Sequence, residues 1–190
     1  MVYQGLPGID TAEIIINNCI LTDNTAQFGG AITFNSTYRD PTTLCITNSL
    51  FSDNYASNGG GAIYLPPINT SISYQIDNTI FDNNQVNAGS GGAIYDINNL
   101  TNWTFNRSAF TNNRIDSGDG GAIALWNQAS NRTIRFLDTD FDNNWCSTDG
   151  GALGYIHEVE IANLSAIFES CRFQQNTGQF GAGGVFLLPR

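Results

Sequence analysis

Hydrophobic and small residues recur along the chain with a period of about 30 residues, in the same order each time. An aromatic residue or leucine is followed three positions later by asparagine, and a glycine pair with small and apolar residues comes next. Five positions before the aromatic residue the side chain is apolar, and two before it the side chain is small. This alternation predicts a β-strand, and the glycine segment predicts a second short strand. No window shows helical periodicity.

The repeat determines the expected architecture. Units that cannot bury their apolar faces singly must stack, and stacking with like residue over like gives a parallel β-helix. We therefore predict an all-β fold with about six rungs, forming a single domain over residues 1–190. The rungs are expected at residues 13–36, 44–65, 74–96, 103–125, 134–155 and 166–187.

Two motifs carry a resemblance to a known family. The motif GGAI occurs at Gly29, Gly60, Gly91 and Gly120, and it alternates with segments such as FSDN from Phe51. This alternation resembles the polymorphic outer-membrane-protein repeat family, and it covers the chain from about Ile14 to Leu187. The resemblance implies a right-handed parallel β-helix of the pectin-lyase-like type. It also implies a secreted, extracellular or cell-surface protein that serves adhesion or structure.

Charge narrows the range of partners. Only 13% of the residues are charged, and 17 acidic against 7 basic side chains give a net charge of −10. Such a chain offers no basic patch for nucleic acid or for an anionic membrane face. No apolar stretch approaches the roughly 20 residues of a membrane span, so membrane insertion is not expected. The first ten residues show no signal peptide; either an export segment was removed, or the chain is a slice of a longer array.

The asparagine of each unit predicts a structural column. In stacked units each amide would donate a hydrogen bond to one neighbour and accept one from the other. Because buried amides require partners, we predict an inner asparagine ladder, and a polar groove for sugar is the alternative. We expect the aromatic residues to stack in the core, and the glycines to supply positive φ or close backbone approach. The ladder positions are Asn24, Asn54, Asn84, Asn113, Asn144 and Asn176.

Residues with catalytic or metal-binding chemistry are few. His157 is the single histidine, so no histidine-based metal cluster is expected, and we interpret it as an ordinary loop side chain. No metal site and no cofactor is predicted, although four aspartates near the ladder leave a structural calcium ion open. These aspartates are Asp23, Asp53, Asp82 and Asp142.

An enzyme is the third hypothesis, because the pectin-lyase-like group also contains enzymes that act on polysaccharides. Two carboxylates alone can hydrolyse a glycoside, and we expect Asp138 and Asp140 to share one face of a strand. The GHG and RIK motifs of polygalacturonases are absent from the sequence, and the chain contains no lysine. We therefore predict no catalytic residues and no enzymatic activity.

The four cysteines leave two interpretations open. In an extracellular chain they suggest disulfides, and the local pairs would be Cys19 with Cys45 and Cys146 with Cys171. No two of them occupy equivalent positions on adjacent rungs, so the short Cα separation that a disulfide needs is not assured. The alternative is that Cys19 and Cys171, which share one position of the repeat, are buried small residues.

Glycosylation signals are frequent. N-x-S/T triplets begin at Asn35, Asn69, Asn99, Asn102, Asn106, Asn131 and Asn163. We place all of them except Asn106 in the connection between a glycine strand and the next rung, and no ladder asparagine starts such a triplet. This distribution favours N-linked glycans on accessible loops, whereas the simpler explanation is that loops collect these residue types.

The favoured function is therefore a non-enzymatic, secreted and N-glycosylated structural protein that forms the repeating unit of a filament. The alternative is an adhesin or carbohydrate-binding module. Self-association end to end is expected because the first and last rungs match: QFGG at Gln27 returns as QFGA at Gln179. A contact between unlike ends propagates as a fibre.

Overall fold

The computed structural model describes residues 2–3, 12–34, 42–67, 72–97, 101–127, 132–157 and 164–188. All secondary structure in these residues is β-strand, and every strand pairing is parallel. The strands stack rung over rung as a β-solenoid, so the predicted all-β parallel architecture is confirmed. The described segments contain no helix with the length and apolar character that crossing a membrane requires.

Each rung is divided into short strands in the same order, after an initial strand β1 (Val2–Tyr3). Rung one contains β2 (Ala12–Asn17), β3 (Ile20–Thr22), β4 (Thr25–Ala26) and β5 (Ile32–Phe34). Rung two contains β6 (Thr42–Thr47), β7 (Leu50–Ser52), β8 (Tyr55–Ala56) and β9 (Ile63–Leu65). Rung three contains β10 (Ile72–Asp77), β11 (Ile80–Asp82), β12 (Gln85–Val86), β13 (Gly89–Ser90) and β14 (Ile94–Asp96).

The remaining three rungs repeat this order. Rung four contains β15 (Thr101–Asn106), β16 (Ala109–Thr111), β17 (Arg114–Ile115), β18 (Gly118–Asp119) and β19 (Ile123–Asn127). Rung five contains β20 (Arg132–Leu137), β21 (Asp140–Asp142), β22 (Trp145–Cys146) and β23 (Leu153–His157). Rung six contains β24 (Leu164–Glu169), β25 (Arg172–Gln174), β26 (Thr177–Gly178) and β27 (Val185–Leu188).

Four sheets run along the solenoid. We call them the long-strand sheet (β2-β6-β10-β15-β20-β24), the aromatic sheet (β3-β7-β11-β16-β21-β25), the short-strand sheet (β4-β8-β12-β17-β22-β26) and the glycine sheet (β1-β5-β9-β14-β19-β23-β27). The strands β13 and β18 form a further pair. The sequence predicted two strands per rung, and the structure has four or five. The difference arises because left-handed residues divide the run before the glycines into three pieces.

Like residues lie over like along the core. In the aromatic sheet, Phe81 pairs with Phe51 on one side and Phe110 on the other. The five stacked phenylalanine rings of this column have centroids 4.8–5.1 Å apart. A second column, with Phe105 and Phe136 at its centre, meets the first edge-on. Offset stacks and edge contacts add to the burial of apolar area, so these rings carry much of the solenoid's stability.

The glycine pairs have two separate structural roles. The first glycine of a pair has a positive φ, as at Gly91, where φ is 70°. The second approaches the next rung so closely that a Cβ on Gly92 would overlap the carbonyl oxygen of Gly121. The chain therefore turns at the first glycine and passes within backbone contact distance at the second. Both roles prescribe glycine and explain why the pair recurs.

Candidate functional site

The inner asparagines form a continuous hydrogen-bonded column. Asn84 shows the pattern: its Nδ2 and its backbone N–H both donate to Oδ1 of Asn113, each over 3.0 Å. The second Nδ2 hydrogen is donated to the carbonyl oxygen of Phe51, 3.0 Å away in the preceding rung. Its own Oδ1 accepts from the N–H and Nδ2 of Asn54. All hydrogen-bonding groups of this side chain are used inside the solenoid, so the column joins rungs and leaves no group for a ligand.

The other members of the column follow the same rule. Bonds of this kind join Asn24, Asn54, Asn84, Asn113, Asn144 and Asn176 in order. The four central members have no exposed surface, whereas Asn24 is exposed and Asn176 is half-buried. Burial strengthens each bond and makes an unpaired amide costly, so the four central residues are tightly constrained.

Two residues of each rung have a left-handed backbone conformation, and each forms a corner where the chain turns. Along the solenoid these residues form two columns. One column directly precedes the ladder and has φ between 52° and 56°. It consists of Asp23, Asp53, Asn83, Asn112, Asn143 and Gln175. The other lies five residues earlier, with φ between 47° and 55°. It consists of Asn18, Asn48, Asn78, Arg107, Asp138 and Ser170. Asn and Asp tolerate this conformation better than other non-glycine residues, which accounts for their frequency at these positions.

A shallow groove lies on the outer surface of the first three rungs. One wall carries the amides of Asn18, Asn48 and Asn78, and Nδ2 of Asn78 donates to Oδ1 of Asn48 over 2.8 Å. The groove encloses about 550 Å³. Its lining consists of Asn18, Cys19, Ile20, Asn48, Ser49, Leu50, Asn78 and Ile80. No charged side chain lines it, although the chain has a net charge of −10. A lining of amides and aliphatic side chains suits a neutral ligand with both hydroxyl and apolar groups.

The two carboxylates considered for catalysis do not share a strand face, and that expectation was wrong. Asp138 is the left-handed residue before β21, with φ 47°, whereas Asp140 is the first residue of β21. Oδ2 of Asp140 accepts a hydrogen bond from Nη2 of Arg172 at 3.0 Å. The left-handed turn separates the two carboxylates because it redirects the chain between them.

Two of the four aspartates considered for calcium, Asp53 and Asp82, accept hydrogen bonds from the neighbouring rung, whereas Oδ1 of Asp142 is buried without a hydrogen-bond partner among the described residues. Oδ1 of Asp82 accepts from Oγ1 of Thr111 at 2.6 Å and from Nδ2 of Asn112 at 2.8 Å. Oδ1 of Asp53 accepts from Nδ2 of Asn83 at 2.7 Å. Within the described ranges no group of three or more His, Cys, Asp or Glu side chains is arranged to hold a metal ion. The expectation of no metal site stays a prediction, and the structural calcium ion stays an open alternative.

The Chlamydia polymorphic membrane protein repeat matches residues 48–66 and residues 78–96. These two segments of the chain are therefore similar to this repeat. No curated protein and no solved structure matches the chain.

Each matched repeat begins at a left-handed asparagine, Asn48 or Asn78, and ends in or just after a strand of the glycine sheet. Each matched segment thus contains the left-handed corner, a ladder asparagine and a glycine pair. The long-strand sheet lies outside both matched segments. The matched segments are those in which backbone geometry and ladder bonds prescribe particular residue types.

The cysteines are free in the described structure, and no two of them are joined. Cys146 is fully buried with Ala56, Val86 and Ile115, and burial raises the pKa of its thiol to about 11. Cys19 and Cys171 are half-buried in the column of small residues, where Sγ of Cys171 donates to the carbonyl oxygen of Phe136. Cys45 lies half-buried on the long-strand sheet, and burial and then Glu13 raise its pKa.

Two of the seven glycosylation triplets begin at described residues. Asn102 is exposed, but it lies within β15 rather than in the connection where we expected it. Its Oδ1 accepts the backbone N–H of Thr133 at 2.9 Å. Nδ2 of Asn106 donates to Oδ1 of Asp77 at 2.8 Å. The others, Asn35, Asn69, Asn99, Asn131 and Asn163, lie outside the described residues.

One buried carboxylate, that of Asp96, was not predicted from the sequence. Asp96 has no exposed surface, and Oδ2 accepts a hydrogen bond from Nε1 of Trp103 at 2.8 Å. It ends β14 at a position where Leu65 and Leu125 lie in the neighbouring repeats. The available signal was an acidic residue at an apolar position of the repeat, seven residues before a tryptophan.

The single histidine was expected in a loop, and this expectation was wrong. His157 is the last residue of strand β23.

Proposed function

We propose that this chain is a non-enzymatic structural element displayed outside the cell, either secreted or on the cell surface. The matched repeat belongs to a family named for membrane proteins, which supports a location at a cell boundary. The β-solenoid architecture supports a structural role because stacked rungs form a rod and expose long, regular faces.

The inner asparagine ladder is the observation that carries this proposal. Four fully buried amides form hydrogen bonds that join neighbouring rungs. The aromatic columns beside them have no exposed surface between Phe51 and Phe141. The repeated residues thus serve the integrity of the rod. A protein selected for catalysis would be expected to concentrate its most specific residues around a substrate site instead.

Two measurements test the structural role. Antibodies against the chain should label intact source cells or the surrounding medium, and labelling only after permeabilisation contradicts the proposed location. Purified protein should release no reducing ends or unsaturated products from acidic or neutral polysaccharides. Release that is lost in the Asp140→Asn variant establishes the enzyme hypothesis in place of the structural one.

We also propose that the protein carries N-linked glycans. Asn102 supports this because its side chain is exposed and its hydrogen bond to Thr133 uses Oδ1, so that Nδ2 can carry a sugar. Asn106 should remain unmodified because its Nδ2 is held by Asp77. Peptide mapping after enzymatic deglycosylation of native material should find Asp at Asn102, and at Asn35, Asn69, Asn99, Asn131 and Asn163. An intact mass of 20.6 kDa for native material contradicts this proposal.

The uncharged groove favours a second candidate function, a module that binds neutral carbohydrate. Calorimetric titration with neutral oligosaccharides should detect binding that the Ile20→Asp substitution removes. The matched control is Ile15→Asp, since Ile15 is similarly exposed, at 63% against 73%, and does not line the groove. Equal binding by both variants, or no binding by the unmodified chain, contradicts this function.

Self-association completes the proposal. We expect copies of the chain to stack end to end, with rung six of one copy over rung one of the next. The support is that both ends of the ladder have the geometry to continue it. Sedimentation velocity over a concentration series should reveal oligomers, and a monomer at every concentration contradicts end-to-end stacking.

A further inference from the structure

The two end faces of the rod are complementary in hydrogen bonding. At one face β2, β3 and β4 have no partner on their outer edge among the described strands, and at the other β24, β25 and β26 have none. The ladder has a direction, because donors always point from rung n to Oδ1 of rung n+1. Among described residues, Oδ1 of Asn24 receives no hydrogen bond, and the backbone N–H of Asn176 donates none. The rung-one face therefore offers a free acceptor, Oδ1 of Asn24, and the rung-six face offers a free donor, the backbone N–H of Asn176.

The apolar columns show the same complementarity. At rung six, Phe168 stacks on Phe136 and Phe173 stacks on Phe141, and the described residues cover no second face of either ring. Phe168 is 37% exposed, whereas its counterparts Phe105 and Phe136 have no exposed surface. Covering these rings with a further rung would remove exposed aromatic surface from water. A second copy of this chain presents such a rung.

One strand obstructs this contact. In a stack where β24 pairs with β2 of the next copy, β27 must pair with β5 of that copy, because rungs advance together in all sheets. The outer edge of β5 is already occupied by β1, with Val2 beside Thr33 and Tyr3 beside Phe34. Both strands therefore compete for one place in the glycine sheet. β1 contributes two residues, whereas β27 has four.

We propose that β1 is a removable cap, and that β27 of a second copy replaces it when two copies stack head to tail. This inference rests on the end-to-end stacking proposed above and adds the step that controls it. Stacking then requires that β1 detach, so the apparent affinity is reduced by the fraction of molecules in which it is detached. The contact joins unlike faces and leaves a free face on each side, so it continues as a polar fibre.

A locked variant of the full chain tests the cap. Val2 and Thr33 are directly paired, and equivalent residues on neighbouring strands lie about 4.8 Å apart, which suits a disulfide. In the double variant Val2→Cys and Thr33→Cys, made together with Cys171→Ser so that diamide cannot link copies, diamide accepts two protons and two electrons from the two introduced thiols and the bond fixes β1 on β5. Sedimentation velocity should show oligomers for the reduced variant and monomer for the oxidised one. Peptide mapping identifies the bond. Equal oligomer content in both states overturns the cap and leaves stacking intact.

Removing the cap tests the same competition from the other side. A variant without residues 1–11 should associate roughly tenfold or more tightly than the full chain, since no cap must detach. Circular dichroism checks that the variant keeps its strand content. If both the full chain and the shortened variant remain monomeric at every concentration, stacking itself is overturned, and the cap with it.

A disulfide between two copies can report which rungs of the copies lie against each other. Cys171 and Cys19 hold equivalent positions in rung six and rung one, so stacking brings them onto adjacent rungs. Diamide should then link copies through these two residues, with two thiols again losing two protons and two electrons. The Cys171→Ser variant should oligomerise equally but not be linked. Oligomers whose peptide maps contain no Cys171–Cys19 bond overturn the head-to-tail register.

Discussion

Replacing Asn84 with alanine tests the ladder where it is fully buried. The substitution removes the Oδ1 that accepts two hydrogen bonds, from the backbone N–H and from Nδ2 of Asn54. Both donors are buried, and a buried donor without a partner costs about 1–3 kcal/mol, so the unfolding free energy should fall by about 2–6 kcal/mol. The bonds that Nδ2 of Asn84 donates to Phe51 and Asn113 are lost as well.

The ladder supplies its own matched control. Asn24 belongs to the same column but is exposed, and its Oδ1 accepts no bond from the described residues. Asn24→Ala should therefore cost less than about 1 kcal/mol, because Oδ1 of Asn54 still accepts a hydrogen bond from the backbone N–H at position 24.

Urea unfolding followed by circular dichroism gives both values, with the slope of free energy against urea compared between variants. An Asn84→Ala protein that is no less stable than Asn24→Ala refutes the ladder as a source of stability.

Three further predictions concern packing, backbone space and thiol chemistry. Phe110→Ala should lower the unfolding free energy by about 3–5 kcal/mol, because the ring is fully buried in its column, whereas Ile20→Ala, 73% exposed, should change it by less than about 0.5 kcal/mol. Gly121→Ala should lower the melting temperature because its Cβ would overlap the backbone of Gly151, and Gly184→Ala, with open space around it, should leave that temperature nearly unchanged. At pH 8 Cys146 should react with a thiol reagent only after urea unfolding, since it is buried with a pKa of about 11; rapid reaction in the folded state contradicts its burial.

The sequence alone determined the features that repeat. Each rung places the same residue types in the same surroundings, so a period, an apolar alternation and a recurring asparagine suffice to predict stacking and register. The ladder is an example, because every member has its neighbours at equivalent positions of adjacent rungs. The glycine pairs are another, since a left-handed turn and a close backbone approach each exclude a side chain.

Two expectations from the sequence were wrong because local backbone conformation decides the outcome at those positions. Asp138 and Asp140 alternate as if in one strand, but a left-handed turn at Asp138 separates them. Asn102 was expected in a connection and lies inside β15, because β15 begins at Thr101, two residues before the predicted start of the rung at residue 103.

Only the tertiary structure decided the features that occur once. The buried carboxylate of Asp96 accepts a hydrogen bond from Nε1 of Trp103, and no period reveals such a pair. β1 matches no complete repeat, yet it occupies the edge of β5. The physical reason is common to both cases: a repeated contact is encoded in every copy of the motif, whereas a contact made once depends on which segments the completed fold brings together.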